Sequence, residues 1–173
     1  AKELGFSQIG VAGIDLSSAE PGLAAWLDAG WHGSMHYMAR HGSKRARPAQ
    51  LVPGTVSVIT ARMDYLPREL GDGWQAIEWR RIDDARAATV SLYARGRDYH
   101  KVLRARLAKL AETIESHCAG TEFRVFVDSG PVLEKALARN AGLGWIGKHT
   151  NLINRQAGSW FFLGEILTNL PLP

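Results

Sequence analysis

Cysteine is nearly absent from the sequence, and so are long apolar runs. The single cysteine, Cys118, cannot form a disulfide within the chain and cannot supply the four thiolates that an iron-sulfur cluster usually requires. At the end of a predicted helix it is typical of a small, inert core residue, with a reactive thiol as the alternative. The longest apolar runs, VSVIT and WFFLGEIL, are far shorter than the roughly 20 residues that span a bilayer. We therefore expect a cytoplasmic domain without a cluster of its own or a membrane segment.

The composition indicates one globular domain with a mildly basic surface. An apolar fraction of 46% can fill a single core, which we expect to span residues 1–173. The chain starts at an alanine and stops at the proline-rich NLPLP, so we expect a fragment that continues into a further domain. The net charge of +4 allows a polyanionic partner, with an ordinary solvated surface as the alternative. The basic residues cluster at Lys44, Arg45 and Arg47, at Arg80 and Arg81, and over 95–106.

Strand-like and helix-like segments alternate along the chain, without internal repeats. Apolar residues recur at helical spacing from Leu103 to Ile114, which predicts a helix over 98–117 that Asp98 caps. A second helix is predicted over 131–141, and a long loop with one helical turn over 66–86. Strands are predicted over 9–14, 56–63, 88–94 and 123–127, and a closing hairpin over 150–153 and 159–167. This order predicts an α/β fold, a layered sheet sandwich with helices flanking a mixed sheet.

A glycine motif imitates a nucleotide-binding loop. Gly142, Gly144 and Gly147 match G-x-G-x-x-G, and the same stretch up to Lys148 matches G-x-x-x-x-G-K. Both motifs need a strand before and a helix after, whereas here a helix is predicted before and a strand after. His149 also stands where the second motif has the Ser or Thr that holds magnesium. The glycines instead indicate a close approach of the backbone to another chain segment or to a flat ligand.

Histidines and one aspartate are the candidate site residues. His32, His36 and His41 are spaced like metal ligands, but no carboxylate or thiolate lies nearby, so a structural or surface role is favoured. His100 and His149 lie at predicted turns between elements, where sites in α/β sheets gather. Asp128 ends a predicted strand just before a predicted helix. This position fits a ligand crevice at the sheet edge and equally a helix-capping aspartate.

Long strings of the sequence resemble the epoxyqueuosine reductase family. The resemblance is carried by YARGRDYHKVLRARLAKL, FVDSGPVLEKALARNAGLGWIGKHTNLI and GSWFFLGEIL, together with the earlier GWHGSMHYM and KRARPAQLVPG. These strings occur in the family's order and cover nearly the whole chain. The resemblance implies the reduction of epoxyqueuosine to queuosine at the wobble position of transfer RNA, the last step of that modification.

The resemblance also implies cofactors and site residues. Family members use cobalamin and two 4Fe-4S clusters, and the clusters are held by a cysteine-rich, ferredoxin-like segment that this chain lacks. By resemblance, Asp128 of VDSGP corresponds to the family's general acid. Positions that correspond to corrin contacts are Arg45, Ser91, Lys148, Asn151 and Leu152. Tyr99 and His100 match a recurrent family string, which leaves open whether they serve the site or the packing of the helix.

The resemblance finally implies a mechanism and a partner. Reduced cobalt would act on the epoxide while a positioned acid protonates the departing oxygen. The basic segments would hold the anticodon stem-loop of the transfer RNA, and we expect a monomer whose electron donor the sequence does not identify. Two other classes of protein stay open as alternatives. A cobalamin-binding or carrier module would need no redox chemistry of its own, and a nucleotide-dependent enzyme would account for the glycine motif.

Overall fold

The computed structural model describes residues 1–66 and 71–173. Its described residues form six strands and six helices, with short turns of 3-10 helix among them. The strands are β1 (Gln8–Ala12), β2 (Ser57–Asp64), β3 (Phe123–Val127), β4 (Trp145–Ile146), β5 (Leu152–Ile153) and β6 (Phe161–Thr168). The helices are α1 (Glu20–Asp28), α2 (Tyr37–Arg40), α3 (Pro48–Leu51), α4 (Trp74–Asp83), α5 (Tyr99–His117) and α6 (Glu134–Asn140).

A four-stranded sheet in the order β1-β2-β6-β3 forms the middle layer. Its two central strands, β2 and β6, are buried along nearly their whole length, and their register places Thr60 opposite Glu165. The predicted layered α/β fold is confirmed. Among the described residues, every pairing in this sheet is antiparallel, where we expected a mixed sheet. The order of the elements along the chain did not predict the antiparallel pairing, because β6 inserts between β2 and β3 instead of joining an edge of the sheet.

The two long faces of the sheet carry different helices. On one face, α5 buries Leu103 and Leu107 against Ile166 and its neighbours. Gly164 allows this close packing, since a Cβ there would lie 2.6 Å from Leu107 Cδ1. On the other face, α6 packs Leu137 and its neighbours against β2, β3 and β6. Strand alternation thus directs successive side chains of β6 towards α5 and α6 in turn.

Several predicted elements agree with the structure. The strands predicted over 9–14, 56–63 and 123–127 correspond to β1, β2 and β3 within a few residues. The helix predicted over 98–117 is α5, and the Asp98 carboxylate accepts a hydrogen bond from the His100 amide as its N-cap. The second predicted helix is shorter at its start, because the chain turns through Pro131 and helix α6 begins only at Glu134.

Other predictions were wrong. Residues 88–94 form no strand and lie largely exposed, since no strand of the described chain pairs with them. The hairpin predicted over 150–153 and 159–167 is not formed. Instead β5 pairs with β4, and β6 enters the main sheet. Within the predicted loop over 66–86, residues 74–83 form α4, while residues 67–70 lie outside the described residues.

No helix in the described part of the chain has the length and apolar character to cross a membrane.

Candidate active site

Asp128 lies in the turn that follows β3. Its backbone has a φ of 41°, a left-handed conformation that aspartate tolerates better than most residues. Its side chain remains 53% exposed. The N-cap of α6 is Leu133, which makes no side-chain capping bond, so Asp128 does not cap that helix. The capping alternative is therefore excluded, and the Asp128 carboxylate has other partners.

Two neighbouring side chains of α5 hold the Asp128 carboxylate. The Tyr99 hydroxyl donates a hydrogen bond to Asp128 Oδ2, and His100 Nε2 lies 3.0 Å from the same oxygen. The Tyr99 ring stacks on the rings of His100 and Phe162, with 4.0 Å between ring centroids in both cases. Burial, followed by the hydrogen bond to the Asp128 carboxylate, raises the pKa of Tyr99, so the phenol stays a neutral donor. Both residues thus contact Asp128 directly, while the Tyr99 ring also packs against Phe162.

A second carboxylate lies behind His100. His100 Nδ1 is 3.0 Å from Asp98 Oδ1, the same oxygen that caps α5. The hydrogen bond with the His100 side chain is the main cause that lowers the pKa of Asp98. The imidazole therefore bridges the carboxylates of Asp98 and Asp128 through its two ring nitrogens.

Two further carboxyl groups approach Asp128 from the α6 side of the sheet. Burial, then the charge of Asp128, raises the pKa of Glu134 to about 7, although Lys135 and a hydrogen bond with the Asp128 backbone act in the opposite direction. Burial also raises the pKa of Glu165 well above its ordinary value, and the nearby Glu134 and Asp128 add to this effect. Both groups therefore favour the neutral, protonated form.

Three cavities meet at Asp128. The Asn151 cavity, of about 310 Å³, also contains Tyr99, Glu134 and Asn151 in its lining. The Trp26 cavity, of about 460 Å³, lies between α1 and α6 and is mostly apolar. The His41 cavity, of about 570 Å³, lies between α2 and the turn after β3. A ligand in any one of the three would lie next to Asp128.

The structure brings four of the six predicted site residues to these cavities. Asn151 and Leu152 line the Asn151 cavity with Asp128, and Arg45 lines the other two. Arg45 is only 6% exposed, and its guanidinium donates to the backbone oxygens of Tyr37 and Met38, each at 2.9 Å. Burial lowers the pKa of Arg45 from its ordinary value.

The remaining two predicted site residues lie apart from Asp128. Ser91 lines a different cavity, formed by α4 and the chain after it together with Trp160. Lys148 is exposed in the connection between β4 and β5. His149, in the same connection, has Nε2 3.3 Å from the hydroxyl of Ser159, which lines the Asn151 cavity.

The glycine motif serves the packing of the chain itself. A Cβ at Gly144 would lie 2.1 Å from the backbone oxygen of Ile153, and one at Gly147 would lie 2.5 Å from the Ile153 side chain. Of our two interpretations of these glycines, the close chain segment is confirmed at Gly144 and Gly147, whereas a Cβ at Gly142, whose φ is 74°, would meet no described atom within 4 Å. Room for a flat ligand stays a prediction. The motif follows α6 and precedes β4, as expected, so it lacks the geometry of a phosphate loop.

The remaining histidines and the cysteine form no ligand set. The His32 ring contacts those of Trp26 and His36, at 5.9 and 6.4 Å between centroids. Within residues 1–66 and 71–173, no three His, Cys, Asp or Glu side chains are grouped as metal ligands would be. Cys118 is a free, half-buried thiol at the end of α5.

Glu134 and Glu165 were not predicted from the sequence. Glu165 gave a signal, since it is the only charged residue in the apolar string WFFLGEIL. Glu134 gave none, because its burial depends on the turn that delays the start of α6 until this residue. The contacts of Tyr99 and His100 with Asp128 could not be predicted either, since these residues precede Asp128 by 29 and 28 positions in the chain.

Fold and site together define an α/β domain in which a turn at the sheet edge presents an acid to adjoining cavities. The sequence model described as "Epoxyqueuosine reductase QueG, DUF1730" matches residues 45–129. An epoxyqueuosine reductase of Alicycliphilus denitrificans is 65% identical over 172 residues, which are 99% of this chain and 48% of that protein. The chain therefore carries the DUF1730 domain of the epoxyqueuosine reductase family and spans about half the length of this relative.

Solved structures agree with this assignment. The structure of epoxyqueuosine reductase from Streptococcus thermophilus has a TM-score of 0.77 and 27% identity, and the match covers all of this chain and 45% of that one. An epoxyqueuosine reductase bound to an epoxyqueuosine-modified tRNA-Tyr stem loop has a TM-score of 0.78 and 25% identity, over 99% of this chain and 44% of that one.

Proposed function

We propose that this chain is the substrate- and cofactor-binding domain of an enzyme that reduces epoxyqueuosine to queuosine in transfer RNA. One observation carries the proposal: Tyr99 and His100 hold the Asp128 carboxylate where three cavities meet. The names of the relatives, and the stem loop bound by one structural neighbour, support the substrate.

Asp128 supplies the proton in this reaction. Opening an epoxide leaves an alkoxide, which is a poor leaving group until it is protonated, and a positioned acid can do this. Tyr99 and His100 fix the orientation of the carboxyl group. Because Asp128 is half exposed in the described chain, bound substrate and cofactor would cover its carboxyl group and exclude water from it.

The surroundings of Asp128 fit cobalamin. The Trp26 cavity offers an apolar wall, including Leu23, Trp26 and Ile146, for a flat macrocycle with apolar faces. Donors and acceptors for its amide edge stand around the same acid, at Arg45 and Asn151. We further propose Leu152 beside Asn151, and Ser91 and Lys148 at the periphery, as contacts. Cobalamin, when bound, supplies the electrons; the chain's own residues bind it, orient the substrate and deliver the proton.

Two 4Fe-4S clusters, held outside residues 1–173, complete the proposed enzyme. A cluster needs four thiolate ligands, and this chain has one cysteine. We propose a single domain over residues 1–173, followed in the whole protein by a ferredoxin-like domain, in a monomer that works in the cytoplasm.

The RNA face of the proposed enzyme is the exposed side of α5 near its first turn. Several basic residues of the sequence clusters are engaged within the chain: Arg47 pairs with Glu20 at 2.7 Å, and Arg95 with Glu78 at 2.5 Å. Exposed cations remain beside the Asp128 partners, namely Arg97, Lys101 and Arg104. These positions would let the phosphates of an anticodon stem-loop lie next to the acid.

The test is Asp128→Asn in the full-length enzyme. Asparagine keeps the size of the side chain and tolerates the left-handed backbone, but it cannot donate the proton. Single-turnover reduction with prereduced cofactor should slow by at least about a hundredfold, the usual worth of a positioned general acid. Circular dichroism and cobalamin binding should stay as in the wild type, and so should turnover of the control Asp28→Asn, an exposed change at the end of α1.

Two outcomes would contradict the proposal. Near-normal rates in Asp128→Asn would remove the acid from its role. A wild-type protein that binds cobalamin but does not reduce epoxyqueuosine would favour the cobalamin carrier.

A further inference from the structure

The proposed reaction needs two protons, and Asp128 can hold only one. Converting an epoxide to an alkene and water consumes two electrons, which the reduced cofactor supplies, and two protons. The first proton goes to the epoxide oxygen as one C–O bond breaks, and this leaves a hydroxyl group on the adjacent carbon. The second goes to that hydroxyl oxygen as the other C–O bond breaks, the C=C bond forms and water leaves. The site therefore needs a store for the second proton, an inference that rests on the proposed function.

Glu134 is placed to store it. It is the first residue of α6, it is partly buried, and it lines two of the three cavities that Asp128 lines. Its pKa of about 7 results mainly from burial and then from the charge of Asp128. A carboxyl group with this pKa is largely protonated just below neutral pH, where an ordinary glutamate is not.

Glu165 lies behind Glu134 in the centre of the sheet. It is 1% exposed, and its Oε1 has no hydrogen-bond partner among the residues that the structure describes. Opposite it on β2, the buried hydroxyl of Thr60 is likewise without a partner in the described chain. Burial penalises an ionised carboxylate in such a place, so the pKa of Glu165 is raised and its protonated form is favoured.

We propose that Glu134, with the buried Glu165 behind it, is the proton reservoir of this site and returns a proton to Asp128 after Asp128 has protonated the epoxide oxygen. The proton moves from the Glu134 carboxyl to the Asp128 carboxylate across the cavity that both groups line. Asp128 then gives it to the hydroxyl group that leaves as water. Solvent reloads Glu134 before the next turnover.

The charged groups around the pair are consistent with this role. Lys135 is the cation closest in sequence to Glu134, and its Nζ donates to the backbone oxygen of Thr150 at 2.8 Å. On β2, the guanidinium of Arg62 lies over the ring of Phe161, 5.4 Å from its centroid, with its Nε 3.2 Å from Asp64. The charge of Asp128 favours the protonated Glu134, and this effect disappears as soon as the proton has moved. The transfer therefore does not leave two adjacent negative carboxylates.

The pH profile of single-turnover reduction by the full-length enzyme tests the proposal. In the wild type the rate should fall as pH rises through about 7, because Glu134 loses its proton there. Glu134→Gln should be at least about tenfold slower at pH 6, and it should lack this fall, because the amide resembles the protonated acid in shape but cannot donate. Glu134→Asp should restore part of the rate, and the exposed control Glu115→Gln should match the wild type.

A second measurement does not depend on turnover. Infrared difference spectra of the full-length protein, taken as Glu134→Gln minus wild type, should show a negative protonated-carboxyl band at pH 6, because the wild type has this band and the variant has lost it. The same band should weaken in the wild type as pH rises through about 7. If the negative band is absent at pH 6, Glu134 holds no proton there and the reservoir is refuted.

The outcomes separate this inference from the proposed function. If Asp128→Asn is inactive and Glu134→Gln keeps the wild-type rate and pH profile, the reservoir is refuted and the reductase assignment stands. If His100→Gln, and not Glu134→Gln, removes the fall near pH 7, the proton comes along Asp98 and His100 and the inference is also refuted. If the wild-type enzyme reduces no epoxyqueuosine, the proposed function fails first, and the infrared band still reports whether Glu134 holds a proton.

Discussion

Replacing Glu134 by glutamine should change the pH dependence of stability in a direction opposite to that of most carboxylates. The folded-state pKa of Glu134 is about 7, above its ordinary value of 4.5. Below pH 4.5 the group is protonated in both the folded and the unfolded chain, so it has no differential effect. Between these values the folded chain binds more protons than the unfolded one, so the free energy of unfolding falls as pH rises. Above about pH 7 Glu134 is ionised in both the folded and the unfolded chain, and the cost of its buried charge lowers the free energy of unfolding by its full amount.

The size of the effect follows from the same two values. Raising a carboxyl pKa from 4.5 to about 7 corresponds to about 3 kcal/mol, an order-of-magnitude figure for a partly buried group. Glutamine resembles the neutral carboxyl group and cannot ionise. Glu134→Gln should therefore match the wild type near pH 4.5 and exceed its free energy of unfolding by up to about 3 kcal/mol at pH 8.

Urea unfolding of this chain at several pH values measures the difference directly. Taking the difference between two proteins removes the contribution of other groups, such as Asp98, whose lowered pKa adds stability that is lost at acid pH. The exposed control Glu115→Gln should show no comparable gain at pH 8. A Glu134→Gln variant that is equal to or less stable than the wild type at pH 8 would refute the argument, because Glu134 would then be favourably ionised in the folded chain.

Two further predictions concern ligands. Cobalamin should change its visible spectrum on titration with this chain, and Asn151→Ala should weaken that binding several-fold. If folded protein causes no spectral change, the cofactor does not bind to these residues and its site lies in the rest of the enzyme. Affinity for an anticodon stem-loop should fall steeply with added salt. Lys101→Ala should reduce the slope of log affinity against log salt concentration by about one, while Lys109→Ala, farther along α5, should leave it unchanged. Binding that does not depend on salt would show that these charges are ordinary solvated surface.

The sequence predicted those parts of the fold that short-range patterns control. Helix α5 was correct from Asp98 to His117 because its apolar spacing and its cap are both local. The strand over 88–94 was wrong because strand formation needs a neighbour, and the apolar content of that stretch does not reveal that none is present. The closing hairpin was wrong for the same reason: β6 follows β5 closely in the chain, yet it pairs with strands far from it in sequence.

The candidate site was predicted only where a single position carried the information. Asp128 was identified because the end of a strand is visible in the sequence, and the capping alternative could be excluded only from the true start of α6. That His100 and Tyr99 reach Asp128 depends on how α5 lies on the sheet. The burial of Glu134 and Glu165 depends on packing between layers, which no local pattern reports.

The left-handed backbone at Asp128 restricts which acid the proposed enzyme can use at this position. A positive φ is strained for side chains in general, and aspartate and asparagine are among the residues that accept it. Glutamate would carry the same carboxyl group on a longer side chain and would have to adopt a less favourable backbone as well. Glycine would relax the turn and remove the acid. Random substitution at this position therefore leaves few routes to another working proton donor, and an engineered replacement would have to rebuild the turn after β3 together with the side chain.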